Sequence, residues 1–213
     1  MKTKLLSVLC AVCVVFFLLT AAIGLPIYIR PFYYAHIEAF DLARVSGYSE
    51  AEIREAYDEV LDYLTLPGKE FSTGVLPHSA EGKAHFEDCK VLFDLNASIL
   101  IGSGLVLAVL FFMRKKWGPY RIGKHSAPFW AAVLSLTAPM IIGALAALDF
   151  DRAFVIFHSI FFPGKTNWVF DWYADPIIRV LPQEFFMDCA ILIGVGLIAM
   201  AVGILVWEGK RKK

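Results

Sequence analysis

Four long apolar runs dominate the pattern of hydrophobic and polar positions along the chain. Each run is about twenty residues long, the length that an α-helix needs to cross a hydrocarbon core of roughly 30 Å. None has a charged residue at its centre, and none has the polar face of a helix in a soluble bundle. The runs are 5–27, 91–113, 129–148 and 185–207. The pattern therefore predicts an all-α membrane protein with four transmembrane helices.

The polar stretches between these runs divide the chain into seven parts. The first run is too long for the apolar region of a signal peptide and no small-residue cleavage pattern closes it, so we expect an uncleaved anchor. The predicted parts are transmembrane helix 1 (1–29), an extracellular cap segment (30–90), transmembrane helix 2 (91–113), a basic cytoplasmic loop (114–128), transmembrane helix 3 (129–148), an aromatic-rich extracellular segment (149–184), and transmembrane helix 4 with a basic cytoplasmic tail (185–213).

The net charge of zero conceals a strong asymmetry between the two sides of this arrangement. With the N-terminus inside, segments 1–4, 114–126 and 208–213 hold eleven basic residues and one acidic residue, whereas the rest of the chain holds nine basic and nineteen acidic residues. Basic residues are retained on the cytoplasmic side of membrane proteins. Both termini are therefore predicted to be cytoplasmic, and the two longer loops extracellular.

Both extracellular segments carry helical patterns. In the first, an amphipathic helix is predicted over 49–64, because Ser49 and Glu52 have capping-box spacing and apolar residues recur with a helical period. Its apolar stripe must cover either the second extracellular segment or the membrane surface. The second segment is aromatic, with eleven aromatic residues among the thirty-seven from Phe150 to Phe186. Such residues concentrate at membrane interfaces, which explains much of this enrichment.

Two histidines are the candidates for chemistry. If a helix begins before the second apolar run, His85 and Asp88 lie at i and i+3 on one face, where a carboxylate can orient an imidazole. His158 lies on the aromatic face of the second extracellular segment. Both are predicted at the outer membrane interface. They are either a catalytic pair or two interfacial histidines with satisfied hydrogen bonds, and the residues alone favour neither.

Other chemistry is less well supported by the sequence. No H-E-x-x-H spacing is present and we assign no metal site, although two histidines and Asp88 leave a metal-dependent interfacial lipase or peptidase as an alternative. A non-catalytic membrane scaffold is a further alternative. Cys89 and Cys189 both lie near outer helix ends, which leaves their pairing open. Nothing indicates binding of nucleic acid.

Several motifs resemble the lipoprotein intramolecular transacylase (Lit) family over essentially the whole chain. They are His85-Phe86-x-Asp88-x-Lys90-x-Leu92-Phe93, Phe157-His158-x-Ile160-Phe161-Phe162, Trp168-x-Phe170-Asp171, Asp175, and Leu181-Pro182-x-x-Phe185-Phe186. The sequence departs from the expected pattern at Cys89, where an aliphatic residue is expected. This departure leaves the interpretation of His85 and Asp88 intact.

The resemblance implies an acyltransferase of the bacterial cell membrane. Such an enzyme moves the sn-2 acyl chain of a diacylglyceryl-modified lipoprotein to the α-amino group of the same N-terminal cysteine, which gives the lyso form. The implied partners are diacylglyceryl-modified bacterial lipoproteins and membrane lipid, the implied active site faces the extracytoplasmic side, and no cofactor is needed.

The resemblance also suggests roles for individual residues. His85 is expected to act as the base, oriented by Asp88, and His158 as the acid or as the group that stabilises the carbonyl oxygen. The opposite assignment of the two histidines stays open. The residues expected to bind substrate or shape its pocket are Phe157, Phe161, Phe162, Trp168, Asp171 and Asp175.

Overall fold

The computed structural model describes residues 2–211, and helices dominate it. In chain order the elements are α1 (Lys2–Tyr28), α2 (Arg30–Ala39), α3 (Leu42–Ser46), α4 (Glu50–Thr65), α5 (Ala80–Trp117), β1 (Arg121–Ile122), β2 (His125–Ser126), α6 (Ala127–Leu148), α7 (Phe150–Phe161), α8 (Ile177–Val180) and α9 (Gln183–Arg211).

Four helices in the described part of the chain are long and apolar enough to cross a membrane. They are Thr3–Tyr28, Ala80–Trp117, Ala127–Ala144 and Gln183–Lys210, with mean hydropathies of 2.9, 2.2, 1.6 and 2.8. The prediction of a four-span, all-α membrane protein is therefore confirmed. Helix α5 has 38 residues and a length of about 57 Å at a rise of about 1.5 Å per residue. It begins well before the apolar run at Val91, and this charged first part carries His85 and Asp88.

The chain separates into two compact units. The helical unit comprises Met1–Leu25, Asn96–Ala147 and Ile191–Lys213, and the cap unit comprises Pro26–Leu95 and Leu148–Ala190. The helical unit contains a short antiparallel hairpin in which Arg121 pairs with Ser126. The cap unit contains all the candidate site residues, so the site can be described within a single unit.

Helix α4 forms one wall of the cap unit's core. Its N-cap residue Ser49 accepts a hydrogen bond from the backbone N–H of Glu52 at 3.3 Å, and the Ser49 N–H donates to the Glu52 carboxylate at 2.8 Å. These two bonds complete a capping box. The apolar stripe of α4 is buried in one cluster with Ile177 and Val180 of α8. The apolar side of α4 therefore covers the aromatic-rich segment 149–184 and not the membrane surface.

A buried tyrosine ties three helices of the cap unit together. The ring of Tyr33 in α2 is fully buried and stacks on Tyr57 of α4, with ring centroids 3.7 Å apart. Its hydroxyl donates to the carbonyl oxygen of Val180 in α8 at 2.7 Å. A buried hydroxyl needs such an acceptor, because an unpaired polar group inside a protein costs free energy. The contact fixes α8 and hence the chain that enters α9.

Candidate active site

The structure brings the two candidate histidines together. His85 lies near the start of α5 and His158 lies on α7, and their ring centroids are 5.8 Å apart with an angle of 33° between the rings. The two residues are 6% and 7% exposed. Two imidazoles so close and so well shielded from water can exchange protons with one bound molecule.

His158 is held by its own helix and by aromatic rings. Its Nδ1 lies 2.8 Å from the carbonyl oxygen of Phe154, and because a carbonyl only accepts, this nitrogen donates. The neutral ring then keeps its lone pair on Nε2. The ring of Trp168 stacks on it at 4.5 Å, and that of Phe154 lies at 4.3 Å. Burial among these groups lowers the pKa of His158, and the Phe154 carbonyl opposes this effect only in part.

His85 has aromatic neighbours but few polar ones. Its ring centroid lies 5.0 Å from that of Phe162 and 5.4 Å from that of Phe170, with both contacts edge-to-face. Its Nε2 lies 3.4 Å from the sulfur of Cys89, one helical turn further along. Its Nδ1 is buried and has no hydrogen-bond partner among the described residues. His85 is therefore the histidine of the pair with a buried ring nitrogen that no described protein group satisfies.

The carboxylate of Asp88 has two hydrogen-bonding partners that the sequence did not predict. One carboxylate oxygen is paired with the ammonium group of Lys165, and the other accepts from the side-chain amide of Asn167 at 3.0 Å. Within the described part of the chain, the structure records no hydrogen bond between Asp88 and His85. Spacing of i and i+3 places the two on one helix face, but a full positive charge attracts the carboxylate more strongly than a neutral imidazole does. An orienting role for Asp88 stays a prediction.

The start of α5 is fastened by Asp175. This residue is 2% exposed, and its two carboxylate oxygens accept from the backbone N–H and the hydroxyl of Ser79, at 2.7 and 2.8 Å. The hydroxyl of Ser79 in turn accepts from the N–H of Gly82 at 2.9 Å, as an N-cap does. In this structure both oxygens of Asp175 are used to hold the helix that carries His85. Its predicted contact with substrate stays a prediction.

The remaining predicted substrate residues lie on both sides of the histidines. Phe162 is buried next to both imidazoles, whereas Phe157 and Phe161 are about half-exposed and pack on each other at 4.6 Å. The carboxylate of Asp171 accepts from the N–H groups of Ala174 and Tyr173, and these bonds lower the pKa of that exposed side chain. Asp171 thus shapes the turn that leads to Asp175.

Sequence reasoning missed three residues of this site. Lys165 and Asn167 are 77 and 79 positions from Asp88, so no local spacing connects them with it. Phe170 appears in a motif, but nothing in the pattern indicated its contacts with His85 and Phe86. Among the described residues, no group of three or more histidine, cysteine, aspartate or glutamate side chains is arranged to hold a metal ion. All four cysteines are free thiols in the structure, including Cys89 and Cys189.

Four apolar helices and a buried histidine pair define the class: an integral membrane protein with two adjacent imidazoles suited to acid–base chemistry. The family model described as "Lipoprotein intramolecular transacylase Lit" matches residues 8–186. The chain belongs to this family. It is therefore a membrane-integral acyltransferase, a lipoprotein intramolecular transacylase, and the resemblance seen in the motifs is confirmed.

Solved structures agree with the assignment at the level of the fold. The chain is similar to the Lit transacylase of Bacillus cereus, with a TM-score of 0.88 and 23% identity over 99% of this chain and 97% of that one. Two variants of that protein, each with a substituted histidine, match with TM-scores of 0.82 and 0.81 at 22% identity. They cover 99% of this chain and 95% and 93% of their own. No curated protein sequence matches the chain at a significant level.

Proposed function

We propose that this protein moves the sn-2 acyl chain of a diacylglyceryl-modified bacterial lipoprotein to the α-amino group of its N-terminal cysteine. The observation that carries the proposal is the buried pair of His85 and His158, with ring centroids 5.8 Å apart. An amine that attacks an ester needs one group to remove its proton and another to protonate the departing oxygen. A histidine pair meets both needs without a covalent enzyme intermediate or a cofactor.

The atoms of this reaction balance within one substrate molecule. The α-amino nitrogen attacks the carbonyl carbon of the sn-2 ester, a C–N bond forms, and the C–O bond to glycerol breaks. A peptide α-amine has a reference pKa of about 7.7–8.0, so near neutral pH it enters mostly as an ammonium ion. It loses two protons on the way to the amide. One proton goes to the glycerol oxygen and the other to solvent.

The surroundings of the two rings suggest how they divide these steps. Because burial lowers the pKa of His158, this ring is neutral before substrate binds and can accept the first ammonium proton at Nε2. The resulting imidazolium then acts as the acid toward the glycerol oxygen. His85 takes the second proton at Nδ1, the atom that has no partner among the described residues. An exchange of the two roles would give the same products.

The aromatic residues around the pair have a chemical purpose in this scheme. Water would hydrolyse the ester and release a fatty acid, so transfer requires that water be excluded. Phe162 and Trp168 contact the imidazoles directly, and Phe157 and Phe161 extend the apolar surface toward the half-exposed side. We propose that these rings bind the acyl chain and the lipid stem. Asp171 and Asp175 support them by shaping the turn beside Phe170.

We place the reaction on the extracytoplasmic face of the bacterial cell membrane, at the lipid interface. The support is the charge asymmetry, with eleven basic residues and one acidic residue in the segments predicted to be cytoplasmic. Diacylglyceryl-modified lipoproteins are anchored in the membrane by their lipid. A site beside the membrane can therefore take the acyl chain together with the N-terminal cysteine.

The test is co-expression with a reporter lipoprotein, followed by fragmentation of its N-terminal lipopeptide. The transfer is an isomerisation, so the intact mass stays constant and only the fragments distinguish an N-acyl, monoacylglyceryl product. We expect this product with the wild-type protein. General acid–base groups contribute about 100-fold to 10,000-fold, so the product should fall by such factors in His85→Ala and His158→Ala.

His125→Ala is the matched control, because this histidine belongs to β2 in the helical unit and not to the site. It should leave the product unchanged. A free α-amine and an intact diacylglyceryl group in cells that produce the wild-type protein well would contradict the proposal. Chelator-sensitive release of fatty acid or of cleaved peptide would instead indicate the metal-dependent lipase or peptidase.

A further inference from the structure

The side chain of Asn167 presents a buried acceptor that the fold leaves unused. Its amide nitrogen donates to Asp88 at 3.0 Å. A carboxylate only accepts, so this contact determines which way the amide is turned, and the Oδ1 of Asn167 points away from Asp88. Among the described residues that oxygen is buried and has no hydrogen-bond partner. Folded proteins rarely leave a buried polar atom unpaired, so a molecule that donates to it is expected.

A second unused acceptor lies in the same cluster. His85 Nδ1 is also buried without a partner among the described residues, and Asp88 connects the two: it lies one helical turn after His85 and bonds to Asn167. When His85 carries its proton on Nε2, toward the sulfur of Cys89, its Nδ1 is an acceptor. A ligand that pairs both acceptors therefore needs two hydrogen-bond donors.

We propose that Asn167 binds the α-amino group of the substrate, with Oδ1 accepting one N–H while His85 Nδ1 accepts the other. This inference rests on the proposed acyl transfer. A neutral primary amine has two N–H groups and one lone pair, so two acceptors orient the lone pair toward the ester carbonyl. Asn167 is then a catalytic residue that selects primary amines. After transfer the amide keeps a single N–H, so one of the two bonds is lost and the product is held less tightly.

Lys165 provides the internal comparison. Like Asn167, it bonds to the Asp88 carboxylate, but its ammonium group offers no acceptor and its side chain is 49% exposed. If Asn167 acted only by holding Asp88, loss of either partner should have the same consequences. If Asn167 also contacts the amine, only its loss should change how the enzyme responds to the number of N–H groups on the substrate.

The experiment compares two synthetic diacylglyceryl lipopeptides, one with N-terminal cysteine and one with N-methylcysteine, which has one N–H fewer as a neutral amine. The ratio of kcat/KM for the two is measured with the purified full-length wild type, Asn167→Leu, Asn167→Ala and Lys165→Met. One lost hydrogen bond corresponds to about threefold to tenfold. We expect the wild type to prefer the primary amine by about this factor, in addition to any steric cost of the methyl group. The methyl group adds the same bulk to the substrate in every measurement, so a difference in the ratio between variants reports the hydrogen bond.

The result that supports the proposal is non-additivity between residue and substrate. Asn167→Leu should lower kcat/KM for the primary amine and reduce the preference by about threefold to tenfold, whereas Lys165→Met should keep the wild-type preference. Asn167→Ala removes the same acceptor without adding bulk and should reduce the preference to the same extent, and it carries the test if the leucine variant fails to fold. A wild-type preference in Asn167→Leu or in Asn167→Ala overturns the inference. A wild type that N-acylates neither lipopeptide refutes the proposed function instead.

Discussion

His158 occupies surroundings that favour its neutral form, and this has a consequence for stability. Burial lowers the pKa of His158, whereas the unfolded chain protonates the same side chain near its reference pKa of about 6.5. As the pH falls below about 6.5, the unfolded state therefore binds a proton that the folded state does not yet bind. The free energy of unfolding should decrease in this window. Above it, protonation of His158 makes no contribution to stability.

The prediction compares the wild type with His158→Gln, which cannot titrate. Thermal unfolding of both proteins in detergent, from about pH 8 down to about pH 5, brackets the reference pKa of histidine. The wild type should lose stability relative to the variant on the acidic side. Curves that stay parallel over the whole range would mean that folding leaves the pKa of His158 unchanged.

Residue types and spacing predicted the histidine pair but not its polar surroundings. His85 and His158 each belong to a local motif, so they could be chosen as candidates before the fold was known. The partners of Asp88 could not, because Lys165 and Asn167 reach it only through tertiary packing. Helical spacing predicts that His85 and Asp88 share a face. It does not predict that Asp88 pairs with the charged side chain of Lys165, which is distant in sequence.

At the scale of elements, the first turn of α5 is the part on which the site depends most. Gly82 lies there against the Asp175 carboxylate and the ring of Phe170, and a Cβ at this position would meet both. Gly82→Ala should therefore displace the start of the helix that carries His85, with a cost of about 1–3 kcal/mol in unfolding free energy. The activity should fall with it, measured as N-acylated reporter lipopeptide at equal protein level.

Gly102→Ala is the matched control for this effect. Gly102 lies on the same helix, and a Cβ there would have no described atom within 4 Å. Because alanine has the higher helix propensity, that variant should be neutral or more stable by up to about 1 kcal/mol. Equal loss of activity in the two variants would mean that glycine in α5 is needed for flexibility of the helix and not for the contact with Asp175.

The elements differ in how much of them could be predicted. Helix α4 was clear from its sequence because a capping box and an apolar stripe are both local patterns. The N-terminal part of α5 was harder to predict as helix, because it carries charges and lacks the apolar pattern of the run that follows. What holds its start is Asp175, from a loop 96 positions away. The anchoring of this turn is a tertiary effect that no local pattern could disclose.

At the scale of the whole molecule, charge and hydropathy act together. The apolar runs determine how many times the chain crosses the membrane, whereas the distribution of basic residues determines which ends remain inside. Neither the apolar runs nor the distribution of basic residues indicates a reaction, so the class of reaction comes from the family assignment. For the substrate to be a translocated lipoprotein, the cap unit must lie outside. The orientation is therefore the feature on which the proposed reaction depends as a whole.

Orientation can be tested by single cysteines in a variant whose four native cysteines are replaced by alanine. Glu50→Cys lies in the cap unit and Lys116→Cys at the basic end of α5, and both positions are exposed. An impermeant maleimide applied to intact cells should label the first and reach the second only after permeabilisation, because the basic loop is predicted to be cytoplasmic. The opposite pattern would place the histidine pair on the cytoplasmic side. There it would meet no translocated lipoprotein, and the proposed substrate would have to be abandoned even though the family assignment stands.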